Sequence, residues 1–418
     1  MIRVLDLTDA VVARLLGARR RHDGRAERTA ARIIADVRRA GDRAVRAWTR
    51  RVDGFDPARA GWRVGAAEQH AAARTVSPAF RRAFRRAARN VRRVARAQCP
   101  RRWTLTVEPG VRVGQLVRPL DAVGCYVPSG RSALVSTLLM TAIPAQVAGV
   151  RRIAVACPKP SAEVLFAATE LGLNELYRIG GPQAIAALAY GTRRIAPVDK
   201  IVGPGNRWVT AAKTLVAPDC PIDFRAGPTE LLVLAERGDP TVIAADVLAQ
   251  AEHDPAAVAL VVTTSRRLAL AVRQEVDRQL ATLPAKSPAR AALRRHGAIL
   301  IARSRTAAIA FANRYAPEHL ALPGAEPAIA RRITGGGALF LGAASAQPLG
   351  DFATGANHTQ PTGGAGRARG GLGVADFVKC ISMQRVSGSG LRRLAPVVRA
   401  FATAERLPAH ARAVDVRL

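Results

Sequence analysis

From about Asp121 onward, short runs of aliphatic and β-branched residues alternate with stretches whose apolar residues recur at helical spacing. This alternation is typical of α/β proteins, in which buried strands are joined by amphipathic helices. A first series of strands and helices runs through "RRIAVAC", "LYRI" and "DKIVGPGNRWVTAAKTLV", and a second through "TELLVLAE", "AVALVVTT", "AILIA" and "ALFLG". The pattern predicts two α/β units, one inserted in or following the other.

The two ends of the chain follow other patterns. The first hundred residues show helical periodicity, clearest in "FRRAFRRAARNVRRVAR", where Ser77 and Pro78 are a typical cap and first turn. The last forty-odd residues predict a tail with a terminal helix. The longest uncharged run, Ser132 to Val150, contains Pro144, Gln146 and several hydroxyl residues, so it predicts a buried helix rather than a membrane span.

Composition supports a globular protein of two or three domains. The chain has 418 residues, 49% of them hydrophobic, and its mean hydropathy is +0.05. Its five cysteines are scattered, odd in number and never spaced as C-x-x-C, which argues against disulfides and cysteine-zinc sites. The N-terminus carries Asp6 and Asp9 where a signal peptide would be apolar. We therefore expect a cytoplasmic protein without membrane segments.

The formal net charge of +33 raises a second possibility, a nucleic-acid-binding protein. Only five of the 64 basic residues are lysines, and the arginines concentrate in the Phe80–Arg96 segment. The same pattern is equally that of an ordinary solvated helix face. No helix-turn-helix spacing, zinc finger or aromatic RNA platform accompanies the charge, and this argues against nucleic acid.

Candidate chemistry centres on four of the seven histidines. Gln250 and His253 lie three residues apart near a predicted helix end, where both could project from one face as half of a metal site. An ordinary helix terminus carrying a histidine is the alternative. Asp351 and His358 lie on a glycine-rich stretch after a predicted strand, where α/β proteins keep ligand sites.

A further pair, Glu318 and His319, is adjacent within "RYAPEHLAL" and could move protons, although a helix cap or a wet loop would place them equally well. Glu405 and His410 lie in the tail, which could also be merely solvated. Together these residues could supply two histidines, an aspartate and an amide oxygen to zinc, plus a proton-handling pair. Spacing alone leaves a zinc dehydrogenase and a zinc hydrolase both open.

The order of these motifs resembles the histidinol dehydrogenase family from about residue 25 onward. The matching segments are "GCYVPSGR", "GGPQAIAALAYGT", "DKIVGPGNRWVTAAK", "IDFRAGPTE", "LAQAEHDP", "YAPEHLAL", "GDFATGANHTQPT" and "AERLPAHARAV". The resemblance implies an NAD-dependent, zinc-containing homodimer that oxidises L-histidinol through the aldehyde to L-histidine. It also implies two incomplete Rossmann-like domains, with parallel sheets flanked by helices and small helical pieces at both ends.

The resemblance also assigns roles to individual residues. It makes His319 the base for the first oxidation, near its ordinary pKa, and Glu318 the base that activates water for the second, with a pKa raised in a dry pocket. The implied zinc ligands are Gln250, His253, Asp351 and His410, the tail reaching the partner subunit's site. The implied substrate-binding residues are Thr229, Gln250, His253, His319, Asp351, His358, Glu405 and His410, and the implied dinucleotide-binding residues are Tyr126, Gln183 and Asn206.

We expect the chain to divide into an N-terminal helical arm, a discontinuous catalytic domain, an inserted dinucleotide domain and a C-terminal tail. Their predicted bounds are 1–24, then 25–122 with 229–372, then 123–228, and finally 373–418.

Two positions and one stretch depart from the family pattern. Thr229 replaces the usual serine, Gln347 replaces a common glutamate, and "TGGAGRARGGLG" replaces a stretch that usually carries an aromatic residue. Two rivals remain: a related zinc dehydrogenase of another polar alcohol, such as a sulfonated diol, and a basic nucleic-acid-binding protein on an inactive scaffold. An anionic substrate should replace a carboxylate by a basic residue, so Glu405 favours the cationic histidinol.

Overall fold

The computed structural model describes residues 2–19, 23–129, 134–324 and 327–418. Its strands are β1 (Arg3–Asp6), β2 (Trp103–Glu108), β3 (Val111–Pro119), β4 (Ala122–Tyr126), β5 (Arg152–Ala156), β6 (Glu175–Tyr177), β7 (Lys200–Val202), β8 (Glu230–Leu234), β9 (Val258–Thr263), β10 (Ala298–Ile301), β11 (His319–Leu322), β12 (Ala338–Leu341) and β13 (Val378–Val386).

The helices alternate with these strands through most of the chain. They are α1 (Asp9–Ala18), α2 (Gly24–Val52), α3 (Pro57–Ala60), α4 (Ala66–Thr75), α5 (Pro78–Ala97), α6 (Val135–Ala148), α7 (Ala162–Glu170), α8 (Gly181–Tyr190), α9 (Arg207–Val216), α10 (Pro240–Ala251), α11 (Arg266–Thr282), α12 (Pro288–His296), α13 (Arg305–Tyr315), α14 (Pro327–Ala330), α15 (Gln347–Phe352), α16 (Gly388–Ala404) and α17 (Pro408–Asp415), with 3₁₀ turns at Ala365–Arg367 and Val374–Phe377.

Two parallel sheets form the cores of the molecule. Six strands pair in the order β1-β10-β9-β8-β11-β12, with α10, α11 and α12 packed on one face and α1 and α13 on the other. Four strands pair in the order β6-β5-β4-β7, with α5, α6 and α7 on one face and α2, α8 and α9 on the other. Helices on both faces explain why these strands are continuously apolar. The predicted α/β fold class is confirmed.

A third, antiparallel sheet carries the C-terminal tail. Its order is β13-β3-β2, and α16 and α17 extend from the end of β13. Both the sheet and the tail leave large apolar side chains exposed, among them Trp103, Leu105, Ile381 and Phe401. An apolar surface of this kind is typical of a protein–protein interface.

The predicted division into domains stays a prediction, and the structure shows how the N-terminal residues pack. Residues 3–6 form an edge strand on the six-stranded sheet, so the N-terminal arm is not purely helical. The helices of residues 24–97 pack on the four-stranded sheet, and α5 also contacts the segment after β12, where Asn90 donates to the backbone oxygen of Ala353 at 2.7 Å. Periodicity shows that a helix has an apolar face, but the tertiary fold selects the sheet that covers it.

The uncharged run after residue 131 forms the predicted buried helix, α6, although Ser132 and Ala133 lie outside the described residues. The last two residues of the "GCYVPSGR" motif, Gly130 and Arg131, also lie outside them. Within the described parts of the chain, none of the helices combines the length and the apolarity needed to cross a bilayer.

Helix α2 is sharply bent at Gly41, where φ is 50° and ψ is −131°. This left-handed backbone favours glycine because a Cβ would be strained there. The bend folds the second half of the helix back toward the first, and the Trp48 indole donates a hydrogen bond to Asp36 across it at 3.2 Å.

Candidate active site

The predicted catalytic pair lies at the amino-terminal edge of the six-stranded sheet. His319 is the first residue of β11, directly after Glu318, and it is in register with Leu231 of the neighbouring β8. Thr229 immediately precedes β8, and α10 returns from the far end of that strand to bring Gln250 back to the same edge. The alternatives of a helix cap and a wet loop are therefore wrong for Glu318 and His319.

A chain of hydrogen bonds holds the Glu318 carboxylate. The amide Nε2 of Gln250 donates to Thr229 Oγ1 at 2.7 Å, and Thr229 Oγ1 donates to Glu318 Oε2 at 2.5 Å. The backbone N–H of Glu230 donates to the same carboxylate oxygen at 2.9 Å. Burial nevertheless dominates and raises the pKa of Glu318 to about 8, as expected for a proton acceptor working near neutral pH.

His319 has the opposite shift. Its side chain is buried, and neither ring nitrogen has a hydrogen-bond partner among the described residues. Burial lowers the pKa of His319 to about 4, so the ring is neutral and can accept a proton. The expectation of an ordinary pKa at His319 was wrong, because strand β11 carries the ring into the protein interior. Nδ1 of His319 lies 3.8 Å from Glu318 Oε2.

Asp351 and His358 approach the pair from the segment that follows β12. Gln347 Nε2 donates to Asp351 Oδ2 at 2.5 Å, and His358 Nδ1 shares a 3.0 Å hydrogen bond with the backbone oxygen of Asp351. Because a carbonyl only accepts, Nδ1 carries the proton and Nε2 of His358 stays available. Burial lowers the pKa of His358 to about 4. The Asp351 carboxylate favours protonation of His319, and His253 opposes it. The charges of His319 and His253 also lower the pKa of His358. These four side chains therefore belong to one site.

The expectation that this segment forms a ligand site directly after a strand needs correction. Asp351 lies in α15, beyond the end of β12, and α15 places it beside the amino edge of the sheet. Helix α10 likewise ends at Ala251, so that His253 lies just beyond the helix and not on its face. The tertiary path of these connections, and not the strand ends alone, determines where the site forms.

The donors present on this chain fit zinc. Gln250 Oε1 is buried and has no hydrogen-bond partner among the described residues, because the amide nitrogen is engaged by Thr229. Partial burial lowers the pKa of His253, which favours the neutral imidazole that binds metals. With Asp351 these groups offer one amide oxygen, one imidazole and one carboxylate, the nitrogen and oxygen ligands that zinc takes.

His410, the fourth predicted ligand, is not with the others in a single chain. Within the described ranges no three His, Cys, Asp or Glu side chains are grouped closely enough to hold a metal, so His253, Asp351 and His410 are not together. Glu405 and His410 are both exposed on the tail formed by α16 and α17. The site on one chain therefore lacks both tail residues.

The three predicted dinucleotide-binding residues lie at the carboxyl edge of the four-stranded sheet. Tyr126 ends β4, and its hydroxyl accepts a hydrogen bond from Gly181 N at 3.1 Å, at the start of α8. Gln183, in the first turn of α8, donates to Asp53 Oδ2 at 3.1 Å. Asn206 caps α9 by accepting from the backbone of that helix. Two helix N-termini, which favour anions, thus meet at one sheet edge.

A buried ion pair supports the glycine loop before Asn206. Lys213 Nζ donates to Asp223 Oδ1 at 2.5 Å and to Gly203 O at 2.7 Å, and Asp223 Oδ2 accepts from Gly203 N at 2.8 Å. Both side chains are almost fully buried. The chain then runs from Asp223 to Thr229, connecting this edge to the catalytic edge of the other sheet.

A second buried ion pair lies at the start of β8, between Arg19 and Glu230. The Arg19 guanidinium binds both oxygens of Glu230 and the backbone oxygen of Tyr315, and it lies 3.8 Å from the centre of the Tyr315 ring. Burial raises the pKa of Glu230, which the Arg19 charge opposes. The Gly/Arg-rich stretch that departs from the family pattern reaches this pair, since Gly363 N donates to Glu230 at 3.3 Å.

Glu230, Asp223 and Lys213 all lie inside the quoted motifs, but the motifs alone assigned no role to them. A charged residue within a largely apolar segment was the feature that could have identified them as buried ion-pair residues. Arg19 and Asp53 lie outside those motifs and carried no comparable signal.

The chain is similar to known proteins over nearly its whole length. The family model described as histidinol dehydrogenase matches residues 18–418. A histidinol dehydrogenase of Geobacillus kaustophilus is 47% identical over 92% of both chains, and one of Geobacter sulfurreducens is 43% identical over the full length of both. The crystal structure of histidinol dehydrogenase from Elizabethkingia anophelis superposes with a TM-score of 0.94 at 33% identity, covering 100% of this chain and 98% of that one.

Proposed function

Because the chain belongs to the histidinol dehydrogenase family and is an oxidoreductase of the last step of histidine biosynthesis, we propose that the site at Glu318 and His319 oxidises L-histidinol with NAD and one zinc ion per subunit. The observation that carries the proposal is the pairing of a buried carboxyl, whose pKa is raised to about 8, with a neutral buried imidazole on adjacent residues.

The two residues suit two different proton transfers. The neutral ring of His319 has free nitrogens and takes the proton of the substrate hydroxyl in the first oxidation. Glu318 takes a proton from the water that attacks the aldehyde before the second oxidation. Thr229 and the Glu230 N–H hold its carboxylate in place for that step. Two bases serving one carbon atom account for their adjacency in the chain.

Zinc would be held by Gln250, His253 and Asp351 of one chain and by His410 of the partner chain. When bound, zinc would orient and polarise the substrate, and NAD would accept hydride. His358 contributes its free Nε2 to the substrate side of the pocket, and the carboxylate of Glu405 from the partner's tail neutralises the substrate's ammonium group. Tyr126, Gln183 and Asn206 lie on the dinucleotide side.

This arrangement requires a homodimer, which the exposed surfaces of the chain support. The tail residues Glu405 and His410 are exposed in the single chain, and the tail together with sheet β13-β3-β2 exposes apolar side chains that a second copy would bury. We further propose a cytoplasmic location, since all five cysteines are unpaired, as expected in a reducing compartment. The net charge of +33 attracts the anionic dinucleotide.

Product analysis tests the proposal. Zinc-loaded protein incubated with L-histidinol and NAD should form L-histidine, identified by mass spectrometry, with two reduced dinucleotides per histidine. The control is an equal concentration of a sulfonated propanediol, which should not be oxidised. Turnover of the sulfonated diol in place of histidinol would contradict the assignment.

A further inference from the structure

Arg19, which directly follows helix α1, contacts both chain segments that carry the catalytic carboxylate and its hydrogen-bond donors. Its guanidinium binds the Glu230 carboxylate through two bonds, one of them 2.9 Å long from Nε to Oε1. It also donates to the backbone oxygen of Tyr315 and, at 3.4 Å, to that of Ala316. The Arg19 and Glu230 side chains are 8% and 4% exposed, so these contacts are buried. One arginine thus joins the start of β8 to the chain just before Glu318.

The segment ahead of Glu318 contains a strained residue. Ala316 has a φ of 45° and a ψ of 70°, the left-handed conformation for which helix ends usually employ glycine. A Cβ makes this conformation costly, so it persists only where the surrounding structure holds it. Arg19 donates to the carbonyl oxygens on both sides of the Ala316 Cα, those of Tyr315 and of Ala316 itself. The turn that delivers Glu318 to the site is therefore held by Arg19.

Arg19 also balances a buried charge beside the catalytic carboxylate. The Glu230 backbone N–H donates to Glu318 Oε2 at 2.9 Å. Burial raises the pKa of Glu230, the Arg19 charge opposes that rise, and the Glu318 charge adds to it. Asp351 on α15 and His319 on β11 also face Glu318, and neither brings a positive charge, since His319 is neutral. Without Arg19, an ionised Glu230 would disfavour the ionised form that Glu318 needs as a base.

We propose that Arg19 is a positioning residue for the second oxidation, because it holds the Glu230 carboxylate and the turn at Ala316 and through them fixes the Glu318 carboxylate beside Thr229. This inference rests on the proposed function, in which Glu318 activates the water that attacks the aldehyde. Arg19 acts through the Glu230 carboxylate and through the backbone, so it is not itself a catalytic residue.

The first test compares the two oxidations in Arg19→Gln. The uncompensated Glu230 carboxylate should raise the pKa of Glu318, and a base must be unprotonated to act. If that pKa rises by about one, kcat/KM for histidinaldehyde should fall about tenfold near neutral pH and recover at alkaline pH. The alcohol step should change less, because pairing of β11 with β8 and β12 fixes the backbone of His319. Single-turnover kinetics on zinc-loaded protein measure both steps. An unshifted pH profile for the aldehyde overturns the inference.

Variants of Glu230 separate charge from packing. Glu230→Gln leaves the Arg19 cation unpaired beside Glu318, so the aldehyde profile should shift to lower pH, opposite to the shift in Arg19→Gln. The double variant Arg19→Gln, Glu230→Gln removes both charges and should return the profile toward that of the unmodified protein. A merely structural role would lower activity in all three variants without opposite shifts. Shifts in one direction, or no return in the double variant, overturn the inference.

Arg19→Lys tests the geometry. Lysine keeps the charge but lacks the fork that binds a carboxylate and two carbonyl oxygens together. The pH profile should therefore stay in place while kcat for histidinaldehyde falls about tenfold, as expected for a misplaced base. Arg14→Gln is the matched control, because Arg14 is exposed on α1, and it should leave both steps unchanged. An unchanged kcat in Arg19→Lys would show that charge alone suffices and would overturn the positioning role.

The design keeps this inference distinct from folding and from the proposed function. Circular dichroism and thermal unfolding report whether each variant folds. If Arg19→Gln alone does not fold, the acid shift in Glu230→Gln and its reversal in the double variant still test the inference. If the unmodified protein does not oxidise histidinaldehyde with NAD, the proposed function fails. If it does and the profiles of the variants stay in place, only the inference fails.

Discussion

Thr229 and Glu318, 89 positions apart in the chain, are joined by a 2.5 Å hydrogen bond from the hydroxyl to the carboxylate. Strands β8 and β11 are neighbours in the sheet, and this pairing places the two residues side by side. The bond favours the ionised form of a carboxyl that burial would otherwise keep protonated to still higher pH. The Thr229 hydroxyl thus helps to set the protonation state of Glu318.

Replacing Thr229 by valine should move the pH dependence of the second oxidation. The base must be unprotonated, so kcat/KM for the aldehyde should rise with pH through the pKa of Glu318, about 8. Losing one donor raises that pKa by about one unit, so activity near neutral pH should fall roughly tenfold and recover at alkaline pH. The measurement is the pH profile with histidinaldehyde. Thr229→Ser keeps the hydroxyl and should keep the profile; an unshifted Thr229→Val profile would contradict the role.

The paired bases should be separable by substitution. In Glu318→Gln the alcohol oxidation should survive, while turnover of supplied histidinaldehyde should fall about a hundredfold or more, the usual effect of losing a general base. In His319→Asn the alcohol step should suffer more. Single-turnover kinetics starting from the alcohol and from the aldehyde measure the two steps. Equal damage to both steps in both variants would mean that the roles are not divided.

Zinc should depend on the residue just beyond α10. His253→Ala removes an imidazole ligand, so metal content measured by atomic emission should fall and activity should fall with it. Chelation of the unmodified protein should abolish activity, and added zinc should restore it. His70→Ala, an exposed histidine on α4, is the control and should retain one zinc per chain. Full activity in a verified metal-free protein would refute the zinc assignment.

If the tail crosses between subunits, two inactive variants should restore activity when they form mixed dimers. Glu318→Gln and His410→Asn homodimers should each be almost inactive in the complete reaction. After co-expression about half of the dimers are mixed, and each mixed dimer contains one site with both residues intact, so activity should recover to roughly a quarter of that of the unmodified enzyme. Mass spectrometry of intact dimers confirms mixing. No recovery in a preparation that contains mixed dimers would show that the tail serves its own chain.

The stability of the protein should depend on the buried ion pair between Lys213 and Asp223. Lys213→Met leaves the buried Asp223 carboxylate without its cation, and the free energy of unfolding should fall by about 3–5 kcal/mol in urea denaturation. Adding Asp223→Asn removes the unpaired charge while an amide oxygen can still accept from Gly203 N, and it should restore part of the loss. A double variant as unstable as the single one would place the effect in packing and not in charge.

Some of this site could be predicted from residue order alone. The adjacency of Glu318 and His319 and the glycine turns before α8 and α9 are local features, and short-range patterns report local features well. The direction of the His319 pKa shift could not be predicted in that way. It depends on burial by β8, β12 and the segment around Asp351, which are distant in the chain.

The sequence by itself determined the α/β class and most of the strands and helices, because apolar periodicity belongs to each segment, and it supplied the residues predicted to bind zinc. Only the tertiary structure decided that Glu318 and His319 lie at the amino edge of the six-stranded sheet, and that α10 and α15 return to that edge and bring their side chains to it. It also decided that helices 24–97 cover the other sheet and that Arg19 pairs with Glu230. These relationships join residues through long-range packing, which no local pattern encodes.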